Sequence, residues 1–592
     1  MKKITYILLG VFFIISSCED PFELTPTDII SDAVVFEDEG LADAFLVDLY
    51  RRSLWHYNTG QSGFNVNLIN AFGGESRNFA PWQAPFGQVM DVDFNENGAG
   101  ALSYWPYQLI RECNVFIEKL PESQSLTGDY VQTRTSEARF IRAFAYFEMV
   151  KRYGGVPLVL EALPIDASEA DLFVPRNSEK EVYDFIGSEM DAIAALLPSE
   201  AEQYGRVTKW TALALKSRAM LYAASVAKFG TQQLNGILGF PASEANQYYQ
   251  QSLNASREII TNGPFSLYRK NSDPVQNFED LFVDENDNPE IIFAELYDLD
   301  ANKTHSWDQL ATPADFGFSW NSNYPTYLET LELFDFVDGS SGKVDRAMYD
   351  DKTVIDPDWF FGQRDPRMRA SIFYPGAPFK GGTVFFHRST DYTDPASGEK
   401  KRSTATGIIP VSDFWPGSAH ARLRGSNATS LLIRKRINQA SVNGVGSDQD
   451  YIVFRLGEIM LNYVEAAFYL GDPNGDMASI LNDEIRDRAG MPPLSSDQIT
   501  EDKIRQERRV ELAFESHVFW DLRRWRIAVD ELHNQVRHRM HFRYDFDNGT
   551  YTAAIADGDK GRIRLHPERN YYYALGLGRI ADNPNLVENP GY

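Results

Sequence analysis

Apolar residues recur at the three- and four-residue spacing of an amphipathic helix over several long stretches of this chain. The clearest stripe, in RFIRAFAYFEMVKRYGGVPL, is formed by Phe140, Ile141, Phe144 and Phe147. Comparable patterns occur on both sides of a long interruption. They predict helices over about 41–55, 104–120, 133–153, 178–197, 206–228, 245–262, 449–470, 476–489 and 500–515.

Local signals mark some of the helix ends. Gly154 permits a left-handed stop after the stripe above, and Pro157 prevents the helix from continuing. Ser178 is followed three residues later by Glu181, which is the pattern of a capping box. We therefore expect one helix to end just before Gly154 and the next to begin after Ser178.

Several helices of this length in succession predict a mainly α-helical fold of stacked helix pairs, similar to a tetratricopeptide superhelix. The chain shows no clean 34-residue period, so the pattern alone indicates only a helix-pair frame, over about 41–262 and 449–525. Between them, 264–448 is rich in Gly, Pro, Asp and Asn, and the apolar runs Ile291–Ala294 and Ser430–Ile433 predict strands. We expect one domain over 41–592, with a loop-rich half containing a few short strands and an irregular C-terminal segment over 526–592.

The first residues have the form of a secretory signal. Two lysines precede an apolar run, Ile4–Ile15, that is shorter than the roughly 17–25 residues of a spanning helix. Small residues and Cys18 follow in a pattern that resembles a bacterial lipobox, which predicts a signal peptide over 1–17, lipidation of Cys18 and a tether over 18–40. The other interpretation is an ordinary cleaved signal with an incidental cysteine.

Composition narrows the classes of partner and of chemistry. The formal charge of −27 would repel a phosphate backbone, so we expect no nucleic-acid binding. If Cys18 carries lipid, Cys113 has no disulfide partner, and we expect it to be a buried small hydrophobe. Aromatic residues make up 13% of the chain, so their positions become the informative signal.

A series of motifs, in order along nearly the whole mature chain, resembles the SusD/RagB family of outer-membrane nutrient-binding lipoproteins. The match is specific because the motifs occur together and in family order. They are RAFAYFEMVKRYGGVPLV from Arg142, SEKEVYDFIGSEMDAIAALLP from Ser178, GRVTKWTALALKSRAMLYAAS from Gly205, NPEIIFA from Asn288, the Arg364–Arg367 turn RDPR, FRLGEIMLNYVEAAF from Phe454, LNDEIRDRAG from Leu481, IRQERRVELAFESHVFWDLRRW from Ile504, and the terminal NPGY. Trp210 and His517 depart from the usual family residues.

The resemblance implies a binding protein without enzymatic activity. Its implied ligand is an oligosaccharide or polysaccharide, and its implied partner is a SusC-like TonB-dependent transporter, over which it sits as a lid. The implied location is the cell outer membrane, lipid-anchored and exposed at the surface. Glu19 and Asp20 resemble the acidic export signal of surface lipoproteins. A peptide-capturing RagB-like protein is the alternative, and an all-α glycoside hydrolase or lyase is a remote one.

Carboxylates at helical spacing are the first candidates for catalysis. Glu507, Glu511 and Glu515 recur at four-residue intervals among arginines. Glycosidases place two carboxyl groups across a cleft, whereas these lie on successive turns of one segment. Nearby arginines would also lower carboxyl pKa values, which is unsuitable for a general acid. We therefore predict structural ion pairs.

Metal sites have a weak signal. Asp91-Val92-Asp93-Phe94-Asn95 begins like a calcium loop, but its sixth and twelfth positions are Glu96 and Leu102 instead of Gly and Glu. This leaves open either an irregular oxygen cage for a structural calcium ion or a polar surface turn. We predict no other cofactor.

Trp55, Trp82, Trp307 and Trp320 lie at loop positions or helix ends among Asn and Gly, whereas Trp210, Trp520 and Trp525 fall in predicted helices and are expected in the core. A flat ring covers the apolar face of a sugar while polar groups bind its hydroxyls. In the resembled family the ligand site lies between the loops after the first helix and the middle region. The glycan-binding candidates are thus Trp82 and Trp320 as platforms, then Trp55, His56 and Tyr324, with Glu75, Arg77 and Asn323 as polar contacts. The other interpretation is that these rings pin long loops to the scaffold.

Overall fold

A computed structural model of the protein describes residues 32–53, 55, 67–77, 94–164, 166–285, 287–313, 316, 322–384, 386–387, 389–403, 430–559 and 561–592. The predicted signal peptide, Cys18, His56, Trp82 and Trp320 lie outside the described residues. Within these ranges no helix combines the length and apolar character that crossing a membrane requires.

Helices are the main regular structure of the described residues, as predicted. The helices are α1 (Asp32–Val35), α2 (Glu39–Arg52), α3 (Leu68–Phe72), α4 (Tyr107–Lys119), α5 (Gly128–Tyr153), α6 (Glu169–Leu172), α7 (Glu179–Ala194), α8 (Lys209–Phe229), α9 (Ala245–Asn262), α10 (Pro274–Asp280), α11 (Trp307–Ala311), α12 (Leu328–Leu331), α13 (Pro357–Phe360), α14 (Pro366–Ser371), α15 (Leu456–Leu470), α16 (Met477–Ser479, continued by a π-helix over Ile480–Arg486), α17 (Glu501–Glu511), α18 (Val518–Arg524), α19 (Ala528–Leu532) and α20 (Leu577–Asp582). Short 3₁₀ turns cover Gly100–Leu102, Leu120–Glu122, Leu234–Gly236, Ala242–Glu244, Arg346–Met348 and Glu568–Tyr571.

The long helices form the predicted helix-pair frame of tetratricopeptide type. Each packs on the next along α4, α5, α7, α8 and α9, and α9 then packs on α15, which lies beyond the loop-rich half. The local signals act as expected. Gly154 ends α5 with a φ of 71°, and Ser178 and Glu181 form a complete capping box at α7. The apolar stripes of these helices pack into one core that contains Cys113, which confirms the predicted interior position of this residue.

One helix begins later than the sequence predicts. Residues 451–455 of the predicted 449–470 helix form strand β9 (Tyr451–Arg455), which pairs antiparallel with β1 (Ile291–Glu295). The β1 strand agrees with the predicted run over 291–294. Because the apolar run YIVF continues directly into the helical LGEIML, the boundary is invisible without the distant partner strand.

The loop-rich half contains a second core and a five-stranded sheet. The remaining strands, which form this sheet and two small separate pairs, are β2 (Asp350–Ile355), β3 (Ile372–Phe373), β4 (Pro378–Phe379), β5 (Gly382–Thr383), β6 (Ser389–Thr393), β7 (Lys400–Ser403), β8 (Leu432–Ile433), β10 (His538–Asp545) and β11 (Thr550–Asp557). The sheet order is β2-β11-β10-β6-β7, and β10 pairs parallel with β6. The small pair β3-β8 includes part of the predicted strand over 430–433.

The C-terminal segment is more regular than the sequence analysis predicts. Its hairpin β10–β11 supplies the two central strands of that sheet. The signal is present in the sequence, because Met540, Phe542 and Tyr544 alternate with polar residues before Asn548-Gly549, a frequent hairpin turn. All three side chains are buried in the second core.

A buried charge cluster joins the frame to the loop-rich half. Glu511 at the end of α17 accepts hydrogen bonds from Arg367 of α14 at 2.9 Å, from Arg455 of β9 at 2.8 Å and from Arg488. The cluster consists of Glu290, Asp365, Arg367, Lys435, Arg455, Arg486, Arg488, Glu507, Glu511 and Glu515. The RDPR turn thus serves to anchor the loop-rich half on α17.

Candidate functional site

The two segments that carry the predicted sugar platforms are joined at their bases. One segment runs through α3 to Arg77, and the other begins at Ser322. Ser76 and Thr326 form an antiparallel bridge, and the Arg77 N–H donates to the Pro325 carbonyl at 2.9 Å. The two bases are therefore fixed relative to one another by backbone hydrogen bonds.

Chain length limits how far the two platforms can lie from this junction. Trp82 is five residues after Arg77, and Trp320 is five residues before Pro325. Five extended residues span at most about 18 Å. The sequence therefore keeps both tryptophans within that length of chain from the junction. Their positions, and that of His56, lie outside the described residues and stay predictions.

Glu75 makes several of the hydrogen bonds at the junction. Its carbonyl accepts hydrogen bonds from the hydroxyls of Thr326 at 2.5 Å and Thr330 at 2.9 Å. Its carboxylate accepts the Phe514 N–H at 2.9 Å, which ties the junction to the segment after α17. Burial raises the pKa of this carboxyl to about 8. Glu75 therefore acts inside the scaffold that positions the loops, and its side chain is only 3% exposed.

Trp55 and Tyr324 lie in the two cores. The Trp55 ring contacts Phe140, Phe144 and Phe293 at centroid distances of 6.1, 4.9 and 5.0 Å. It is 7% exposed because α2 ends at Arg52 and the chain turns the indole back onto α5. Neither face is open to a sugar, so the prediction of Trp55 as a sugar contact is wrong, and the ring instead packs the chain onto the core.

Tyr324 has the same role in the second core. Its ring stacks on Trp307 at 5.1 Å, and both rings are buried. Trp307 itself belongs to α11, and its indole N–H donates to the Lys435 carbonyl at 3.0 Å. These rings hold the segment that leads to Trp320. The predicted core positions of Trp210, Trp520 and Trp525 are confirmed.

The remaining polar candidates are also interior. Arg77 is 2% exposed and donates to the Gly558 carbonyl beside Asp559. Asn323 is 1% exposed, and its backbone N–H donates to the Leu310 carbonyl at 2.8 Å. These two side chains, like Glu75, do not face solvent in this structure. They stiffen the base on which the loops stand.

Trp359 is a surface tryptophan that is not among the predicted sugar contacts. It lies on α13 and is 57% exposed, whereas every other tryptophan within the described ranges is at most partly exposed. Its ring stacks on Phe336 at 5.4 Å with an interplanar angle of 27°, so one face is supported and the other is open. The polar surroundings in DPDWFFGQRD were the available signal, although they do not differ from those of the buried tryptophans.

The charged segment is structural, as predicted. Burial alone would raise the pKa values of Glu507, Glu511 and Glu515, but the neighbouring arginines and Lys435 outweigh burial and lower all three pKa values. Carboxyl groups held ionised in this way cannot supply a proton near neutral pH. They form part of the buried charge cluster.

No group of three or more His, Cys, Asp or Glu side chains within the described part of the chain is arranged to hold a metal ion. Asp91, Val92 and Asp93 of the calcium-like loop lie outside it. Asn95 is described, and its Oδ1 accepts the Asn97 N–H at 2.9 Å within a local turn. A structural calcium ion there stays a prediction.

Comparison with known proteins identifies the family. The model described as the SusD family matches residues 289–592, and a model described as starch-binding associating with outer membrane matches residues 51–221. SusD-like protein P38 of Formosa agariphila is 24% identical over 576 residues, covering 90% of this chain and 93% of its own length. A solved SusD-like carbohydrate-binding protein of Bacteroides fragilis superposes with a TM-score of 0.69 at 21% identity, covering 93% of this chain and all of its own.

A structure named as a laminarin-binding SusD-like protein superposes with a TM-score of 0.60 at 19% identity, covering 94% of this chain and all of its own. At such identities the superpositions establish the fold alone. The family models carry the assignment, since the first alone spans just over half of the 592 residues. The resemblance seen in the ordered motifs is confirmed: the chain belongs to the SusD family of carbohydrate-binding proteins.

Proposed function

We propose that this protein captures oligosaccharides or polysaccharides at the cell surface and delivers them to a SusC-like TonB-dependent transporter. Lipid on Cys18 would hold it at the outer membrane, and it would make and break no bond in the ligand. Family membership and the carbohydrate-binding relatives support the ligand class. The transporter, the lipid and the surface location come from the family resemblance and are part of the proposal.

The observation that carries the proposed site is the junction between Arg77 and Pro325. Binding to two independent loops costs the conformational entropy of ordering both. Loops with a common rigid base are partly ordered before the ligand binds, so this cost is smaller. The junction restricts the bases of the two Trp-bearing loops in this way. Trp82 and Trp320 are therefore the indoles that we propose as the sugar platform.

The ion-paired carboxylates favour binding over catalysis. Glu507, Glu511 and Glu515 are ionised and sequestered, so the most conspicuous carboxylate series in the chain is unsuited to glycosidic bond cleavage. Binding through a few stacked rings gives a Kd in the micromolar to millimolar range, roughly −4 to −8 kcal/mol. Simultaneous contact with a transporter would raise the effective affinity without new sugar contacts.

We expect Trp82→Ala and Trp320→Ala each to weaken polysaccharide binding about tenfold, which corresponds to about 1.4 kcal/mol. The double variant should abolish retardation in affinity gels that contain plant, algal or fructan polysaccharides. Calorimetry on the retarding polysaccharide gives the affinities. Trp359→Ala is the control, because its indole is exposed but is carried by α13 instead of either loop.

Other outcomes of this experiment contradict specific parts of the proposal. Loss of retardation in Trp359→Ala alone would move the sugar surface to α13. Release of reducing ends would favour the glycoside hydrolase or lyase alternative. Binding of peptides with no polysaccharide retarded would favour the RagB-like alternative.

Cys18→Ala is expected to release the protein from the membrane fraction, because the acyl chains supply the anchoring free energy at about 0.8 kcal/mol per buried CH₂. Labelling with a palmitate analogue and fractionation of the producing cells measure both properties. Protease treatment of intact cells tests whether the parent protein faces outward. Retention of the label and of membrane association by Cys18→Ala would contradict lipidation at this residue.

A further inference from the structure

We propose that an open pocket between the helical frame and the C-terminal segment, lined by none of the residues of the Arg77–Pro325 junction, binds one acidic sugar unit, a uronate or a sulfated sugar, through Arg526. The pocket lies between the C-terminal end of α8 and the Glu568–Tyr571 turn, and its volume is about 260 Å³. Arg526, Tyr571 and Phe229 contribute to its lining. The proposal rests on the proposed function in one respect only, namely that the anionic group belongs to a sugar.

Arg526 is held in an unusual backbone conformation. It follows α18 with a φ of 57°, in the left-handed region that side chains other than those of Gly, Asn and Asp rarely adopt. Such a conformation costs free energy and persists where the surrounding contacts impose it, which is frequent at binding sites. Arg526 forms part of the pocket wall.

Two rings and one hydrogen bond fix that guanidinium. Its central carbon lies 4.6 Å from the Tyr571 ring centroid and 4.8 Å from that of Tyr572. One of its N–H groups donates to the Tyr572 hydroxyl at 2.6 Å, and this hydroxyl donates to Glu179 at 2.7 Å. The group is therefore preorganised before a ligand arrives.

Most of the donors of Arg526 remain available. A guanidinium carries five N–H donors. Within the described part of the chain, Arg526 makes that single side-chain hydrogen bond, and no carboxylate contacts it directly; Glu179 acts on it from beyond the Tyr572 hydroxyl. This contrasts with Arg367 and Arg455 of the buried charge cluster, each of which is paired with several carboxylates. An arginine that is rigid, partly exposed and without a direct carboxylate contact is suited to a planar or tetrahedral oxyanion.

The other walls indicate that the anion is carried by a sugar. Phe229 and Tyr571 provide apolar ring surface for C–H groups, while Gln233 and Glu568 can bind hydroxyls. The volume falls just below the range of about 300–1,000 Å³ for drug-sized ligands, so a single sugar unit fits better than a long chain.

The charge of the residues that line the pocket also favours an anionic ligand. The pocket contains Arg526 and Arg569 but one carboxylate, Glu568, although the chain as a whole carries −27. A positively charged concavity on an acidic protein attracts an anion that the remaining surface repels. A neutral sugar would gain no electrostatic attraction from this difference in charge between the pocket and the rest of the surface.

Arg526→Asn is the decisive variant, because Asn tolerates the left-handed backbone and the fold should be retained. Calorimetry and saturation-transfer NMR on the full-length protein should detect binding of glucuronate or galacturonate, and of a glucose sulfate ester. The variant should weaken that binding at least tenfold, while glucose should show no binding that depends on Arg526. Arg269→Gln, on an exposed arginine outside the pocket, is the matched control and should bind as the parent does.

Measuring the uronates and the sulfate ester separately shows which anionic group the pocket binds. Binding of uronates alone identifies a carboxylate site, and binding of the sulfate ester alone identifies a sulfate site. Equal affinity of Arg526→Asn and the parent for every acidic sugar, or no acidic sugar bound by the parent, would overturn the proposal.

The same ligands also separate this site from the proposed function. The Trp82→Ala/Trp320→Ala variant should keep its affinity for the acidic monosaccharide while losing polysaccharide retardation. If polysaccharide binding fails in the parent but uronate binding depends on Arg526, the pocket proposal stands and the proposed function does not.

Discussion

Glu511→Gln is expected to lower the free energy of unfolding by about 3–5 kcal/mol, the range for removal of one partner from a buried ion pair. Its carboxylate is fully buried and accepts hydrogen bonds from Arg367, Arg455 and Arg488. The neutral amide would leave three guanidinium groups without their shared counter-charge. Since those arginines come from both halves of the molecule, we expect the loop-rich half to loosen from the frame.

Urea denaturation of the variant and the parent at neutral pH measures this effect. Glu501→Gln is the matched control, because Glu501 begins the same helix, is 38% exposed and pairs with Arg505. An exposed pair of this kind contributes about 0–1 kcal/mol. Equal losses in the two variants would show that the buried charge cluster has no special role in stability.

Acid should reduce the difference between Glu511→Gln and the parent. Burial raises the pKa of Glu511, but Arg488, Arg455 and Arg367 outweigh burial and bring it well below 4.5. A carboxyl with a lowered folded-state pKa contributes stability above its unfolded pKa, and this stability is lost as the pH falls. Repeating the denaturation at progressively lower pH should therefore show the parent approaching the variant.

Glu75→Gln is expected to stabilise the protein in alkaline solution, by about 3–5 kcal/mol at pH 8.5. Burial raises the pKa of Glu75 to about 8, and one of its carboxyl oxygens has no partner among the described residues. Between about pH 4.5 and 8 the folded parent keeps a proton that the unfolded chain releases. Its stability therefore falls as the pH rises through this window, whereas glutamine does not titrate.

Unfolding midpoints at pH 5 and pH 8.5 test the prediction. The two proteins should nearly coincide at pH 5, and Glu75→Gln should be the more stable at pH 8.5. Glu399→Gln, on an exposed turn, should follow the parent at both values. A Glu75→Gln protein that is destabilised by the same amount at both pH values would mean that Glu75 is ionised in the fold, in conflict with its burial.

The sequence was sufficient for features that local interactions decide. The end of α5 at Gly154 and the start of α7 at Ser178 follow from backbone conformation and capping, which involve only neighbouring residues. The strand β9 could not be placed in this way. Its state depends on β1, about 160 residues earlier, and its apolar residues also suit the first turn of α15.

The same limit applies to the candidate site. Trp55 and Tyr324 are flanked by Asn and Gly like surface aromatics, yet tertiary contacts with Phe293 and Trp307 bury them. The pocket around Arg526 has no sequence signature, because its walls come from α8 and from residues some 340 positions later. The sequence identified the family, whereas only the structure shows that the segment ending at Arg77 and the segment beginning at Ser322 are joined.

The position of the β10–β11 hairpin has a consequence for how the molecule assembles. In the sheet, the hairpin lies between β2 on one side and β6 and β7 on the other. These earlier strands can therefore join one sheet only after the hairpin, which follows them by roughly 150 residues or more, has been made and folded. Pairings between such distant positions raise the contact order and slow folding, since a large loop must close before any stabilising contact is gained. The part of the helical frame from α4 to α9 is built from helices that follow one another in sequence, and it is under no such constraint. We therefore expect a nascent chain to acquire its frame early, while the sheet half stays an open, association-prone edge until its last strands arrive.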